Sequence, residues 1–385
     1  MYDFDKIVDR DSTANIKYDL REKFFEKKDV LPMWVADMDF ETPIFIRKAI
    51  KERAEHPIYG YTYRDENYSN SIVNWVKNRQ GWDIEKDWIV YSPGIVPALN
   101  FSTMAYTNPN DSILVQPPVY FPFFTAATDH GRKLLSNQLK YDDGRYTIDF
   151  EDFEQKAKKA TMFFLSSPHN PVGRVWKKEE LVRLGEICVD NNVIIISDEI
   201  HNDLILPGYK HIPIASLSKE IADITVTCIA PSKTFNLAGL ATSSVIISNE
   251  ELRNKFEKVI NTLHLSLGNL FGAVASEAGY TYGHNWVDEL MKYLAGNIDL
   301  LRNGLAESKI KIIEPEATYL VWLDFKDYNI DDEEIKNILI NKAGLGLSHG
   351  PMFGDGGEGF QRINLAAPRS TITTAIDKLS SAFNF

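Results

Sequence analysis

The chain has 385 residues, of which 44% are hydrophobic and 25% charged, and a net charge of −12 at pH 7. This composition excludes a collagen-like or disordered chain, and the length predicts two or three domains with a substantial core. Because an acidic chain repels phosphate, we expect no nucleic-acid or anionic-membrane partner. Two cysteines, Cys188 and Cys228, are too few for a disulfide framework or a four-thiolate zinc site.

Neither the start of the chain nor its apolar runs indicate targeting or membrane insertion. The first residues, Met-Tyr-Asp-Phe-Asp-Lys, lack the apolar run of a signal peptide. The longest aliphatic run, Val193 to Ile196, is far shorter than the roughly 20 residues of a membrane-spanning helix. We therefore expect a soluble, cytoplasmic protein with no membrane partner.

The predicted elements follow a charged, irregular stretch of about 45 residues. Its end, Leu-Pro-Met-Trp-Val-Ala-Asp-Met-Asp-Phe at 31–40, is apolar enough that we expect it to pack against the rest of the molecule. A helix is predicted from Pro43, with this proline in the first turn, and a second helix from Ser69 to Gly81.

From about residue 88, short β-branched runs alternate with helical stretches. A helix between two of these runs carries Leu181, Leu184 and Cys188 on its inner face. The alternation predicts a mostly parallel, doubly wound α/β sheet. The runs consist mainly of apolar and β-branched residues, which is typical of strands buried on both faces. They lie at 113–116, 162–166, 193–197 and 224–229.

The last hundred residues predict a smaller α+β domain. Helical sequence from about 251 to 305 precedes a strand at 319–325 and a helix that starts with Asp331-Asp-Glu-Glu. A Gly-rich stretch at 344–359 then leads into a strand that begins at Phe360.

We predict a large domain over 46–282 and a small domain that combines 1–45 with 283–385. The Gly-rich segment 354–359 lacks the Gly-Lys-Ser/Thr of a phosphate-binding loop, and we interpret it as a flexible loop over a substrate entrance. The eight histidines show no metal-site spacing, so no metal is predicted.

Three polar segments, 166–173, 197–201 and 230–236, each follow a predicted strand. Because ligands bind outside the carboxyl ends of strands in an open α/β sheet, we expect these segments to meet at one site. Lys233 could form a Schiff base with an aldehyde, Asp198 could pair with a protonated pyridine nitrogen, and Asn170 could donate to a phenolate oxygen. Together these groups suit pyridoxal 5′-phosphate, PLP.

The order and spacing of these segments resemble the cofactor signature of fold-type I PLP enzymes, the aspartate aminotransferase superfamily. Asn170 and Asp198 lie 28 residues apart, and Asp198 and Lys233 lie 35 apart. Other motifs resemble those of the MalY/PatB subgroup of cystathionine β-lyases and C–S lyases, over essentially the whole chain. These motifs lie at 32–40, 59–61, 92–96, 116–120 and 197–203.

The resemblance implies a PLP-dependent transferase-like fold and a set of cofactor-binding residues. Lys233 would hold PLP and then remove the Cα proton, Asp198 would keep the ring nitrogen protonated, and Tyr120 would stack on the ring. These three are the implied catalytic residues. The full cofactor-binding set is Lys233, Asp198, Asn170, Tyr120, Gly94, Ile95, Val96, Ser232, His201 and Tyr61, with Ser92 also placed in the phosphate cradle at a helix N-terminus.

The resemblance also implies the substrate contacts and a homodimer. Arg362 would grip the substrate α-carboxylate bidentately, and Ala36 and Tyr61 would contact the substrate. Tyr61 would reach the phosphate from the partner subunit, so that the active site is shared. For Arg369, close by, a site role and a surface role both stay open.

Two positions depart from the aminotransferase pattern. His201 stands where aminotransferases commonly carry a tyrosine, as expected for the lyase subgroup, which leaves the hydrogen bond to the phenolate oxygen open. Ala241 stands where they commonly carry a phosphate-binding arginine, so helix dipole and hydroxyl groups would balance the phosphate charge.

The function that the resemblance implies is α,β-elimination of sulfur amino acids such as cystathionine, cysteine and related S-conjugates, giving a thiol or sulfide, pyruvate and ammonia. An aminotransferase is the alternative, because it would use every catalytic residue named. A PLP-binding transcriptional regulator is disfavoured, since no DNA-binding domain fits before residue 40 and the chain is acidic.

Overall fold

The computed structural model describes residues 2–385. Its strands are β1 (Leu31–Pro32), β2 (Ile89–Ser92), β3 (Ser112–Val115), β4 (Lys133–Ser136), β5 (Lys140–Asp142), β6 (Arg145–Thr147), β7 (Met162–Ser166), β8 (Ile194–Asp198), β9 (Thr225–Ile229), β10 (Ser243–Ile246), β11 (Lys311–Ile313), β12 (Leu320–Asp324), β13 (Leu345–Gly346), β14 (Ser348–His349) and β15 (Phe360–Asn364).

Its α-helices are α1 (Ile16–Asp19), α2 (Arg21–Phe25), α3 (Ile44–Glu55), α4 (Glu66–Gln80), α5 (Ile95–Tyr106), α6 (Pro122–Thr128), α7 (Phe150–Ala157), α8 (Lys178–Asp190), α9 (Lys219–Asp223), α10 (Pro231–Thr234), α11 (Glu250–Thr262), α12 (Leu270–Tyr282), α13 (His284–Gly304), α14 (Asp332–Asn337) and α15 (Arg369–Phe383). Shorter 3₁₀ segments lie at Lys86–Trp88, Ile214–Ser216, Ala238–Leu240, Lys326–Tyr328 and Gly350–Phe353, and a π-helical segment at Ile338–Ala343.

Seven strands form the central sheet, in the order β2-β10-β9-β8-β7-β3-β4. The run from β9 to β4 is parallel, whereas β10 is antiparallel to both of its neighbours. The mostly parallel sheet predicted from the sequence is therefore confirmed. The four predicted strands correspond to β3, β7, β8 and β9, with ends that differ by at most one residue.

The central sheet is covered on both faces, as strand β7 shows. Because successive side chains of a strand point to opposite faces, Met162 and Phe164 pack with apolar residues of α5 and α11. Phe163 and Leu165 pack with those of α7 and α8. Every side chain of β7 is buried, which explains why its sequence is apolar up to the final serine and confirms the doubly wound arrangement.

Local capping decides where the first long helices begin and end. Pro43 directly precedes α3 and lies outside its first turn, one position from the predicted place. Helix α4 starts three residues before the predicted Ser69, because the Asp65 side chain accepts a hydrogen bond from the Tyr68 amide at 3.0 Å. It ends at Gly81, whose φ of 69° is in the left-handed region that favours glycine.

A second, antiparallel sheet has the order β11-β12-β15-β14. Together with α13, α14 and α15 it forms the smaller α+β part expected from the sequence. Strand β1 pairs in parallel with β13, so the N-terminal arm joins this part of the molecule. The limits 46–282, and 1–45 with 283–385, stay a proposal; the one near 282 falls between α12 and α13.

The apolar end of the N-terminal arm packs into the core, as expected. Met33 and Met38 are each 1% exposed, and the Trp34 indole donates a hydrogen bond to the Lys17 carbonyl at 3.2 Å. Residues 34–39, which we call the strap, cross between the two sheets and bring backbone carbonyls to the site described next.

Candidate active site

A cavity of about 310 Å³ lies beyond the carboxyl ends of β7, β8 and β9. Strand β7 ends at Ser166, β8 ends at Asp198, and β9 leads into the short helix α10. The three polar segments meet there, as expected for an open α/β sheet. The predicted site residues that line the cavity are Ala36, Gly94, Ile95, Val96, Tyr120, Asn170, Asp198, His201, Ser232 and Lys233.

Lys233 reaches the cavity from α10. The next side chain, Thr234, donates a hydrogen bond to Asp203 at 2.8 Å, which fixes the turn that carries the lysine. The Lys233 ammonium donates to the Ala36 carbonyl at 2.5 Å. Burial, reinforced by the positive charge of Arg362, lowers the pKa of Lys233 to about 8. A neutral amine, the form that attacks an aldehyde, is therefore accessible near neutral pH.

Asp198 is the last residue of β8, and its carboxyl group is buried at the cavity wall. The Ile200 amide donates to its Oδ1 at 3.1 Å. Burial raises the pKa of Asp198 to about 7, against the opposing effects of that hydrogen bond and of Lys233. A cationic partner in the cavity would favour its ionised form, because opposite charges stabilise each other in a desolvated site.

Arg362 lies on β15, between the register partners Trp322 on β12 and Ser348 on β14. Its Nη1 donates to Asn170 Oδ1 at 2.8 Å, and its Nη2 donates to the Trp34 carbonyl at 3.1 Å. Burial lowers the pKa of Arg362 to about 10, so the guanidinium stays charged at neutral pH. Its Nε is buried without a hydrogen-bond partner, which leaves a donor for an anion.

Tyr120, which is partly buried, and His201, which is buried, are lining residues of different character. Burial raises the pKa of Tyr120, so its phenol stays neutral. Burial and the positive charges of Lys233 and Arg362 hold the pKa of His201 well below its usual range, so its imidazole is neutral. The His201 Nδ1 is buried without a partner. A neutral imidazole can donate or accept one hydrogen bond here, according to its tautomer.

The predicted phosphate cradle is the start of α5. Gly94 precedes this 12-residue helix, and the backbone at Gly94, Ile95 and Val96 faces the cavity together with Ser232. Helix N-termini attract anions because their first N–H groups have no partner within the helix. Ser92 is not a lining residue, since its hydroxyl donates to the Gly94 carbonyl at 2.9 Å and thereby stabilises the turn.

Tyr61 lies outside this cavity. Its side chain is 97% exposed, and its neighbours Ile58, Tyr59 and Tyr63 are exposed as well. Arg369 is also outside, at the start of α15, where it forms an ion pair with Asp5 at 3.5 Å. The described chain therefore favours a surface role for Arg369 and leaves the role of Tyr61 a prediction.

Some cavity residues are absent from the predicted set of site residues: Ser166, Ile200, Ala238 and Thr242 also line the cavity. The first two lie within the predicted polar segments, and the last two lie on either side of Ala241, which lines the cavity as well. Outside the cavity lining, the Tyr319 hydroxyl donates to the Ala36 carbonyl at 3.0 Å. No local pattern predicts this contact, because its partners lie 283 residues apart.

The Gly-rich loop lies beside the segment that carries Tyr120. The Val119 amide donates to the Phe353 carbonyl at 2.8 Å, and a Cβ at Gly354 would lie 2.7 Å from the Phe124 ring. The loop thus borders the site, and its flexibility stays a prediction. Within residues 2–385, no group of three or more His, Cys, Asp or Glu side chains could hold a metal ion, and no helix is long and apolar enough to cross a membrane.

A partly buried lysine and a buried carboxyl group lie at the carboxyl edge of the mixed sheet, and a buried guanidinium faces them from the second sheet. Together they define the active site of an α/β enzyme. The aminotransferase class I and II family matches residues 28–379, and the chain belongs to this family. Cystathionine beta-lyase PatB of Bacillus subtilis is 43% identical over 99% of this chain and 100% of that protein.

Two solved structures are similar over nearly their whole length. Cystalysin from Treponema denticola, which contains a pyridoxal 5′-phosphate cofactor, has a TM-score of 0.96 and 37% identity over 99% of this chain and 98% of that one. The PLP-bound C–S lyase from Staphylococcus hominis has a TM-score of 0.93 and 34% identity over 100% and 99%. The resemblance and the fold class predicted from the sequence are therefore confirmed.

Proposed function

We propose that this protein is a PLP-dependent carbon–sulfur lyase that performs α,β-elimination on sulfur amino acids. The products are a thiol or sulfide, pyruvate and ammonia. The observation that carries this proposal is the 43% identity to cystathionine beta-lyase PatB over the whole chain. The preferred sulfur substrate within this class is a matter for assay.

The side chains of the cavity fit PLP. The start of α5 and the Ser232 hydroxyl offer neutral donors for a phosphate, and Asp198 offers an anion for a pyridine nitrogen. Lys233 supplies an amine for an aldehyde, and His201 Nδ1 is a buried polar atom without a partner. When bound, PLP supplies an electron sink for negative charge that develops on the substrate Cα.

The residues of this chain account for substrate binding and proton transfer. Arg362 binds the α-carboxylate of the substrate, which orients the Cα–H bond toward Lys233. The Lys233 amine, with its pKa of about 8, accepts the Cα proton. The thiolate then leaves from Cβ, and the resulting 2-aminoacrylate takes up water to give pyruvate and ammonia.

We also propose that the protein acts as a homodimer with a shared active site. Tyr61, Tyr59 and Tyr63 form an exposed aromatic run, and contiguous exposed apolar surface favours association. Arg64 connects this run to a second exposed segment, because its Nη1 donates to the Leu267 carbonyl at 3.0 Å. In the dimer, Tyr61 of one subunit would reach the phosphate and substrate of the other.

A cytoplasmic location belongs to the same proposal. Cys188 and Cys228 are both free and buried, and free thiols suit a reducing compartment.

The second candidate is an aminotransferase, the activity that gives the family its name. Incubation of the purified, PLP-loaded protein with L-cystathionine, with and without a 2-oxo acid, separates the two functions. Release of pyruvate and thiol without the oxo acid supports the lyase. Turnover that requires the oxo acid overturns it in favour of the aminotransferase. Borohydride reduction followed by peptide mapping is expected to place the pyridoxyl group on Lys233, and Lys233→Ala serves as the inactive control.

A further inference from the structure

The strap presents its backbone to the two cationic side chains of the site. The Trp34 carbonyl accepts a hydrogen bond from Arg362 at 3.1 Å, and the Ala36 carbonyl accepts one from Lys233 at 2.5 Å. Asn364, two residues beyond Arg362 on β15, donates to the Val35 carbonyl at 2.6 Å. Any displacement of the strap would therefore move the hydrogen-bond acceptors of both Lys233 and Arg362.

The acidic side chains of the strap form an ion cluster with two cationic side chains from earlier in the N-terminal arm. Arg10 contacts Asp37 through both terminal nitrogens, at 2.6 and 3.0 Å, and contacts Asp39 at 2.7 Å. Lys17 contacts Asp39 at 2.9 Å and Asp37 at 3.6 Å. The Lys17 side chain is 1% exposed. Two cations thus balance two anions directly behind the active site.

Two members of the cluster, Lys17 and Asp39, are buried, and the other two are partly buried, with side chains 17% and 18% exposed. Removing one partner of a buried ion pair leaves an uncompensated charge, which costs far more than the loss of an exposed pair. The arm offers a contrast in Lys6, which pairs with Glu41 but is half exposed. Arg10 and Lys17 line no part of the cavity, so any effect of either residue on the site must pass through the strap.

We propose that the ion cluster of Arg10, Lys17, Asp37 and Asp39 is a positioning device for the active site, holding the strap so that Arg362 is oriented for the substrate carboxylate and Lys233 is shielded from excess negative charge. Arg10 and Lys17 are positioning residues in this arrangement. The inference rests on the proposed function for its cofactor and its amino-acid substrate. It assigns a function to two residues of the N-terminal arm that do not line the cavity.

The proposal also predicts the direction in which the pKa of Lys233 changes when the ion cluster is disrupted. The ionisable groups that act on Lys233 are Arg362, which lowers its pKa, and Asp37 and Asp198, which raise it. Arg10 neutralises Asp37 through a bidentate contact. Loss of Arg10 would leave Asp37 with a single cationic partner, at 3.6 Å. The negative charge of Asp37 would be less well compensated, and the pKa of the Lys233 nitrogen would rise.

The test compares Arg10→Gln with the control Lys6→Gln in the PLP-loaded protein. Lys6→Gln removes one positive charge from the same arm without touching the strap. The first measurement is the dissociation constant of L-alanine, which has an α-carboxylate but no group to eliminate. Binding of L-alanine is monitored through the change in cofactor absorbance. The second is the pH titration of the visible band of the lysine-bound cofactor.

We expect Arg10→Gln to weaken alanine binding about tenfold and to raise the pKa of the band by about half a unit, effects typical of one lost charge-assisted contact. Lys6→Gln should match the wild type in both. The proposal is overturned if Arg10→Gln, with an unchanged far-UV spectrum, behaves like Lys6→Gln.

Should Arg10→Gln fail to fold, Arg10→Lys carries the test, since it keeps the charge but loses the planar fork. Alanine binding weaker than that of Lys6→Gln then supports the proposal, and equal binding overturns it. Neither readout requires cleavage of cystathionine. If Arg10→Gln shows both effects but the wild type releases no pyruvate from cystathionine, the positioning role stands and the proposed lyase function is wrong. If the wild type releases pyruvate but Arg10→Gln behaves like Lys6→Gln, the lyase function stands and the positioning role is wrong.

Discussion

A hydrogen bond of 2.8 Å joins Arg362 Nη1 to Asn170 Oδ1, two residues 192 positions apart in the chain. It links the small antiparallel sheet to the turn after β7 of the central sheet. Through it, the residue proposed to bind the substrate carboxylate touches the residue proposed to contact the cofactor. Amino-acid binding at Arg362, as proposed above, would therefore be coupled directly to the orientation of the Asn170 amide.

The first prediction concerns the Arg362 guanidinium. Arg362→Lys keeps a positive charge but cannot make the bidentate contact, so we expect KM for L-cystathionine to rise about a hundredfold, or ~3 kcal/mol. Arg369→Lys is the matched control, because Arg369 is half exposed and pairs with Asp5 outside the cavity. Steady-state kinetics of both variants decide the matter. A similar KM in the two variants would exclude Arg362 as the carboxylate anchor.

The second prediction follows from the burial of Lys233 in the apoprotein. Its pKa is lowered from 10.5 to about 8, so between these pH values the unfolded state binds more protons than the folded state. The stability of the folded state therefore rises with pH across this window. Below pH 8 the folded state bears the full free-energy cost of burying the charged lysine. A shift of this size corresponds to a cost on the order of 3 kcal/mol.

Lys233→Met removes that buried charge. We expect the apo variant to be more stable than apo wild type at pH 7, with a difference that shrinks toward pH 10.5. Urea unfolding of both proteins at a series of pH values measures this difference. Equal stability at pH 7, or a difference that grows with pH, would contradict the lowered pKa of Lys233.

The third prediction concerns Asp198. An amide at this position cannot stabilise a protonated pyridine nitrogen, so Asp198→Asn should bind PLP but lose at least about a thousandfold in kcat, equivalent to ~4 kcal/mol. Asp324→Asn is the matched control. Asp324 is also a buried carboxyl group, but it accepts a hydrogen bond from Tyr141 at 3.0 Å and does not line the cavity. A kcat of Asp198→Asn within tenfold of the wild type would rule out the electron-sink role.

The residues that could be predicted from the sequence are those whose position depends on local pattern. Strand β7 is apolar from Met162 to Leu165 because both of its faces are covered. That pattern located the end of the strand, and the polar segments beyond it contained Asn170. The same reasoning applied to β8 and β9 brought Asp198 and Lys233 to one edge of the sheet.

Features that depend on distant or weak signals could not be predicted. Strand β10 is short and half serine, so its sequence reveals neither its presence nor its antiparallel direction. Ser92 resembled a phosphate ligand, yet its hydroxyl is used within its own turn. The contact of Tyr319 with Ala36 and the ion cluster behind the strap bring together distant residues, and only the folded chain shows these pairs.

The last prediction concerns Tyr61, whose 97% exposed side chain lies outside the cavity of its own chain. If Tyr61 serves the partner's site, Tyr61→Ala and Lys233→Ala homodimers are each nearly inactive but complement each other. In a mixed dimer, one site combines an intact Lys233 from one chain with an intact Tyr61 from the other. The second site carries both substitutions.

Random mixing of equal amounts makes half of the dimers mixed, so about a quarter of wild-type activity should return. Refolding the two variants together and assaying pyruvate release from cystathionine measures this recovery. Refolded mixtures that exchange subunits but regain no activity would show that Tyr61 does not act across a subunit interface.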